Sequence, residues 1–187
     1  MKRNKILFLK QWILITTLFC GFSVGGHALA GETRPAAEED RLRAAMVVGI
    51  LRYTSWNEDF GETLNICLLG ENDSFEHLEA LQDSRIVPYK VINVSRVGDE
   101  ADSQTSECQV LVAGNPTSME IRDSDFSQPC LLICDKCVSD KIDASVVLRK
   151  VNNRIRFDVD LSKAKTNGVK FRASMLELAA TVEGANE

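Results

Sequence analysis

The clearest hydrophobic pattern is an amphipathic segment followed by an apolar run, between residues 36 and 70. In the first segment, apolar side chains recur every three or four residues: Leu42, Met46, Ile50 and Tyr53. This spacing predicts a helix over Ala36–Tyr53 with one buried stripe, and Thr54–Trp56 as its frayed end. The run Leu64–Leu69 is almost wholly apolar, which predicts a strand covered on both faces.

Shorter apolar runs then alternate with polar segments. Three of them predict further strands: Val87–Val94, Gln109–Gly114 and Cys130–Cys134. Between them, short helices are expected over Phe75–Leu81 and near Ser118–Arg122. Strands that alternate with helices indicate an α/β layered fold.

The pattern changes after residue 144. Two β-rich runs, Ser145–Val151 and Arg154–Leu161, flank Asn152 and Asn153, and because Asn tolerates positive φ they predict a tight hairpin. Ser162 is expected to cap a short helix that ends at Gly168. A brief extended piece, Val169–Phe171, and a final helix, Met175–Val182, complete the chain. The prediction is one α/β domain with a mixed sheet of about six strands, short flanking helices, and a C-terminal hairpin and helix.

The first thirty residues are set apart from this domain. Basic residues at the start precede an apolar run and the sequence Ala28-Leu29-Ala30, which is the pattern of a secretory signal peptide. Cleavage after Ala30 leaves a single domain, residues 31–187. The whole chain has a formal net charge of −5. Removing the basic leader makes the domain more acidic, which disfavours binding to nucleic acid.

Five cysteines remain after the predicted cleavage, and an oxidising compartment predicts disulfides among them. Cys67 and Cys108 lie on strands that can be neighbours in a doubly wound sheet. A bridge between them is geometrically reasonable and would stabilise the fold by roughly 3–4 kcal/mol. Two buried thiols are the alternative.

The other three cysteines are Cys130, Cys134 and Cys137. The first two are about 13 Å apart along a strand, too far for a disulfide. Cys134–Cys137 can bridge across a turn, and Cys130 can pair elsewhere or stay free. The C-x-x-C spacing also suggests a thiol oxidoreductase or a zinc site. No proline follows it, although thioredoxin-like folds pack one against the dithiol, so a structural or regulatory disulfide is favoured.

Catalytic and cofactor motifs are missing from the sequence. The predicted mature chain has one histidine, His77, on a polar helix, and no P-loop, G-x-G-x-x-G or H-E-x-x-H motif. We therefore predict no catalytic residues, no metal site, no cofactor and no enzyme activity. Positive charge is concentrated in the C-terminal third: Arg149, Lys150, Arg154, Arg156, Lys163, Lys165, Lys170 and Arg172. This is either a solvated face or a docking surface for an acidic or phosphate-bearing partner.

Several segments together resemble the YfiR family. Gly49–Trp56 resembles the G-I-x-x-Y-T-x-W ending of the family's first helix, and Leu64–Cys67 its following strand. Cys108–Leu111 resembles a later cysteine before a strand. Asn152–Leu161 is similar to the family's pattern N-x-x-I-R-F-x-V-N-L. Gly168–Ala179 is similar to the family's C-terminal pattern, G-V-K-x-x-x-x-L-L-x-L-A. The resemblance covers nearly the whole predicted mature chain.

This resemblance implies a regulator rather than an enzyme. Members of the YfiR family are periplasmic repressors that act on the periplasmic PAS-like domain of an inner-membrane diguanylate cyclase. They lower cyclic-di-GMP and biofilm formation, and an outer-membrane OmpA-like lipoprotein can sequester them. The resemblance also implies a homodimer and a disulfide corresponding to Cys67–Cys108. The family has a second disulfide, but this chain has no cysteine near Val146-Val147 to form it. That disulfide is therefore absent here or replaced by Cys134–Cys137.

The family's C-terminal contact region corresponds to Val169, Lys170, Phe171 and Arg172, which we expect to bind the partner. A soluble module that senses a periplasmic small molecule at the carboxyl edge of the sheet is the alternative function. It differs in predicting a ligand pocket without a cyclase partner.

Overall fold

The computed structural model describes residues 35–86, 90–98, 107–115, 121, 128–137 and 142–185, with Pro35 described by its backbone alone. The predicted signal peptide lies outside the described residues. So do Val87 and Pro88 at the predicted start of the second strand, and all of the predicted helical segment near Ser118–Arg122 except Ile121.

Four helices and nine strands are formed in this part of the chain. The helices are α1 Pro35–Arg52, α2 Phe75–Glu79, α3 Leu161–Thr166 and α4 Ala173–Leu176. The strands are β1 Thr54–Trp56, β2 Thr63–Leu69, β3 Val91–Val97, β4 Val110–Ala113, β5 Leu131–Asp135, β6 Val146–Val151, β7 Arg154–Asp160, β8 Val169–Phe171 and β9 Thr181–Glu183. None of the helices described is long and apolar enough to span a membrane.

Seven strands form one mixed sheet in the order β3-β2-β4-β5-β6-β7-β9. The pairs from β3 through β6 are parallel, β6 and β7 are antiparallel, and β7 and β9 are parallel. The chain begins this sheet at β2, adds β3 on one side, and then crosses to β4 on the other. The predicted α/β class is confirmed, with seven strands instead of about six.

The sheet separates two hydrophobic clusters. The larger contains the buried apolar side chains of α1 and α2, together with Ala164 of α3 and Met175 of α4. The smaller, on the opposite face, contains all four cysteines of the disulfides and the free Cys130. β4 and β5 are buried along their whole length, which agrees with their nearly continuous apolar sequences.

The predicted buried stripe of α1 is wrong at Leu42 and Tyr53, correct at Ile50, and partly correct at Met46, which packs against the larger cluster. Leu42 is 53% exposed and Tyr53 is 38% exposed, while Met46 is only half-buried. The buried residues of α1 are Asp40, Arg43, Ala44, Val47, Ile50 and Leu51, most of them about one position further along the helix than predicted. The charged Arg43 lies on the buried side because it pairs with Asp135, and a hydrophobicity pattern cannot predict that pairing.

The hairpin of β6 and β7 forms as predicted, with Val151 paired to Arg154 across the turn. Asn152 and Asn153 have φ values of 49° and 60°, in the left-handed region that Asn adopts more readily than most residues.

Two details after the hairpin are wrong in the prediction. Asp160, rather than Ser162, caps α3, because its carboxylate accepts hydrogen bonds from the backbone N–H groups of Ser162 and Lys163. Burial opposes ionisation of Asp160, but the hydrogen bonds from Ser162 and Lys163 outweigh it and lower the pKa of that carboxyl.

The predicted final helix Met175–Val182 is also wrong. α4 ends at Leu176, and the chain then pairs as β9 with β7. The Ala180 N–H already donates to the Phe157 carbonyl at 2.7 Å. A sheet edge that offers unpaired carbonyls competes with a short helix, and this long-range pairing is not visible in local sequence.

Candidate partner-binding surface

A two-stranded antiparallel ribbon joins the two ends of the domain. β1 pairs with β8, with Ser55 opposite Lys170. The expected frayed helix end at Thr54–Trp56 is therefore wrong, because these residues form a strand. The ribbon brings together two segments of the family resemblance that are more than a hundred residues apart in sequence.

The ribbon is anchored to the domain at several points. The Trp56 indole Nε1–H donates to the Gln109 carbonyl at 3.1 Å, and the Thr54 hydroxyl donates to the Ile50 carbonyl at 2.8 Å. Gly168 enters β8 with φ of +66°, and a Cβ there would lie 3.0 Å from the Pro129 ring. Any larger residue at position 168 would be strained and crowded.

The four residues expected to bind the partner divide into two pairs. Val169 is only 2% exposed and Phe171 packs against the larger hydrophobic cluster. Lys170 and Arg172 are exposed. The Val169 side chain therefore cannot reach a partner in the folded protein, Phe171 is half-buried, and Lys170 and Arg172 are the most accessible members of the predicted set.

The structure adds neighbours that sequence reasoning missed. Arg52 ends α1, and Tyr53 follows it next to β8, since the Arg172 N–H donates to the Tyr53 carbonyl at 3.0 Å. With Ser55 they are exposed beside Lys170 and Arg172. We call these five residues the ribbon surface. Its three cations form no ion pair with any residue that the structure describes, which leaves them available to acidic groups.

Both disulfides considered from the sequence are present. Cys67 in β2 is bonded to Cys108 just before β4, with Cα atoms 5.8 Å apart. Cys134 at the end of β5 is bonded to Cys137, with Cα atoms 5.3 Å apart. Cys130 is free and buried, and burial raises the pKa of its thiol well above the ordinary range. The Cys130 thiol is therefore protonated and a poor nucleophile.

A buried ion pair links α1 to the loop closed by Cys134 and Cys137. Arg43 Nη1 lies 2.6 Å from Asp135 Oδ1, and Asp135 is fully buried. The Ser74 hydroxyl donates to the other carboxylate oxygen at 2.9 Å, and the Asn72 amide donates to the Asp135 carbonyl at 2.7 Å. These contacts hold α1, the β2–α2 loop and the end of β5 together.

The ion pairs extend from Arg43 to the hairpin. Glu39 accepts hydrogen bonds from Lys150 at 2.6 Å and from Arg43 at 2.8 Å. The hydrogen bond from Lys150 is the largest contribution that lowers the pKa of Glu39, and Arg43 adds to it. Lys136 pairs with Asp40 at 2.7 Å. The hydrophobic periodicity of α1 does not identify this network, because it says nothing about which charged residues pair across the fold.

Within the described ranges, no group of three or more His, Cys, Asp or Glu side chains could hold a metal ion. His77 is half-buried on α2. The fold and its exposed charges define an α/β protein with a mixed sheet, two internal disulfides and an exposed basic surface.

Comparison with known proteins identifies the family. The model of the DUF4154 family, described as YfiR/HmsC-like, matches residues 40–180. The chain belongs to the YfiR/HmsC-like family, which is regulatory rather than catalytic and is associated with diguanylate cyclase systems. No curated protein matches the chain significantly.

Proposed function

We propose that this protein is a periplasmic repressor of an inner-membrane diguanylate cyclase, and that it binds the cyclase's periplasmic PAS-like sensor domain. Repression keeps cytoplasmic cyclic-di-GMP low and limits biofilm formation. The observation that carries the proposal is the ribbon surface, in which two segments typical of the family meet and expose three unpaired cations. Membership of a regulatory family supports it.

The remaining parts of the proposal follow from the same function. The protein is exported by a signal peptide cleaved after Ala30, has no enzyme activity and acts as a homodimer. An OmpA-like lipoprotein of the outer membrane relieves repression by sequestering it. Disulfides agree with an oxidising compartment, since they are rare in proteins of the cytosol.

Deletion of the gene tests the proposal in cells. In a strain that carries the cognate cyclase, the deletion should raise cyclic-di-GMP and biofilm mass, and expression of the gene in trans should restore both. Unchanged cyclic-di-GMP after deletion would contradict the proposed function.

A cleft at the carboxyl edge of the sheet favours a second candidate, the sensing of a small molecule. The cleft of about 500 Å³ lies where strand order reverses between β2 and β4, and Glu71, Asn115 and Arg96 line it. A Cβ at Gly114 would lie 2.5 Å from the Glu71 carbonyl, so glycine is required for this close packing. A ligand-dependent rise in melting temperature that Arg96→Ala removes, without any cyclase binding, would favour this candidate over repression.

A further inference from the structure

The hairpin of β6 and β7 extends past its neighbours in the sheet. β5 pairs with β6 only over Val146–Leu148, and β9 pairs with β7 only over Asp158–Asp160. The residues 149–156 therefore form a two-stranded arm whose strands pair only with each other. Both outer edges of the arm lack a neighbouring strand within the described part of the chain.

The register shows which backbone groups face the outer edge of β7. The Asp160 N–H donates to the Ser145 carbonyl, so residues 145 and 160 are a hydrogen-bonded pair. Such pairs alternate along an antiparallel ladder, which makes Lys150 and Ile155 a non-hydrogen-bonded pair. The N–H and C=O of Ile155 consequently point away from β6. No described residue bonds to them, and the next outward carbonyl, that of Phe157, accepts from Ala180.

A groove runs along this open edge. Four consecutive residues of the arm, 154–157, form one wall, and Met46 and Leu178 form the rest of a space of about 370 Å³. Leu178 is 64% exposed, and Met46 is half-buried on the side of α1 that also exposes Leu42. The groove thus combines unpaired backbone donors and acceptors with apolar side chains.

The charges of the groove select its occupant. Arg154 and Arg156 are exposed and form no ion pair with any described residue, whereas Arg149 contacts Asp158 and Lys150 contacts Glu39. Arg154 and Arg156 lie on one face of β7, and Ile155 lies on the other. An added strand would place alternate side chains next to the arginines and next to Met46 and Leu178.

We propose that the open edge of β7 at Arg154–Phe157 binds an extended acidic segment of a partner protein by β-augmentation, with Asp or Glu alternating with large apolar residues. Main-chain hydrogen bonds to Ile155 supply affinity, and the alternating side chains supply specificity. A second copy of this chain is disfavoured as the occupant, because a two-fold contact at this edge would bring Arg154 and Arg156 of both copies together.

Peptide binding tests this inference without the cyclase, so its failure and that of the proposed function are separate results. The probe is a capped, fluorescein-labelled heptapeptide of alternating Glu and Val, titrated against the mature protein and followed by fluorescence anisotropy. We expect saturable binding that weakens at least about tenfold when Lys replaces Glu. Two further peptides each carry methyl groups on one of the two alternating sets of backbone nitrogens. Only one set faces β7 in an added strand, so we expect about tenfold weaker binding for at least one of these two peptides. Equal binding of the Lys peptide, or tolerance of methylation in both peptides, would overturn the proposal.

Two matched double variants locate the binding site. Arg154→Glu/Arg156→Glu should abolish binding, while Lys170→Glu/Arg172→Glu on the ribbon surface, with the same change in charge, should leave it within about twofold. The reverse result would overturn the proposal. Ile155→Pro removes one outward N–H without removing a bond to β6, and should also weaken binding. A dimer in sedimentation analysis that Ile155→Pro dissociates would assign the edge to a second copy and would likewise contradict the inference.

Discussion

The centre and the C-terminal end of the same sheet are built differently. β4 and β5 are buried at every position, and both disulfides attach to this central part. In β6 and β7, buried residues alternate with half-buried ones away from the turn, most residues next to the turn are exposed, and β9 is exposed throughout. The centre resembles a scaffold that holds the fold, whereas the end presents backbone edges and cations to solvent. Substitutions should therefore cost stability at the centre and binding at the end.

Removal of the buried carboxylate at the centre should have the largest effect on stability. Asp135→Ala removes the fully buried partner of Arg43 and leaves Glu39 as its ion-pair partner, and breaking such a buried pair costs about 3–5 kcal/mol. Urea unfolding monitored by circular dichroism measures the loss. As a control, Glu79→Ala breaks the partly exposed pair with Arg96 and should cost less than about 1 kcal/mol. Similar losses of stability in the two variants would contradict the conclusion that the buried ion pair contributes more than the partly exposed one.

The two disulfides should differ in what they contribute. Cys67 and Cys108 are 41 residues apart, so replacing both by Ser should cost about 3–4 kcal/mol through loop entropy. Cys134 and Cys137 are three residues apart, and the same double replacement should cost about 2 kcal/mol. Unfolding of both variants by guanidinium chloride measures the difference, and an inverted order would show that loop length does not govern it.

The hairpin turn should have a smaller, local effect. Asn153→Val places a β-branched side chain at a φ of 60° and should cost about 1–2 kcal/mol. The control Asn153→Gly tolerates that φ and should remain within about 0.5 kcal/mol of the parent protein. Thermal unfolding of both variants provides the comparison, and an equal loss in both would show that backbone strain is not the cause.

Acid should weaken the protein by a modest amount at the C-terminal end. The pKa of Asp160 is lowered in the folded protein, so its ionised form adds stability above its unfolded pKa of about 3.9. That stability is lost as pH falls through the lower, folded pKa. Asp160→Asn keeps a cap but does not titrate, so it should be less stable by about 0.5 kcal/mol at pH 7 and closer to the parent at pH 3. A difference that widens at pH 3 would contradict this sign.

Sequence reasoning succeeded where structure depends on local pattern. The apolar run of β2 and the Asn152-Asn153 turn each specify their structure through hydrophobicity or backbone preference. It failed at β1 and β9, which are three residues each and exist because distant strands offer them hydrogen bonds. It failed at Arg43 because a charged residue on a helix is read as exposed unless its buried partner is known.

The candidate site was predictable in part for the same reasons. The resemblance located Lys170 and Arg172, but it did not distinguish them from Val169, because only the β1–β8 pairing shows which side chains face the core. Arg52 and Tyr53 were interpreted as helix residues, and their place beside Lys170 depends on that same pairing.

The most direct measurement is calorimetric titration of the purified mature protein with the purified periplasmic domain of its cognate cyclase. Three proteins are compared: the parent, Lys170→Glu/Arg172→Glu on the ribbon surface, and Lys165→Glu on the exposed side of α3 as a control. We predict saturable binding by the parent and the control, and a loss of at least about tenfold in affinity for the double variant with its fold intact by circular dichroism. No binding by the folded parent, or equal affinity in all three proteins, would contradict the account.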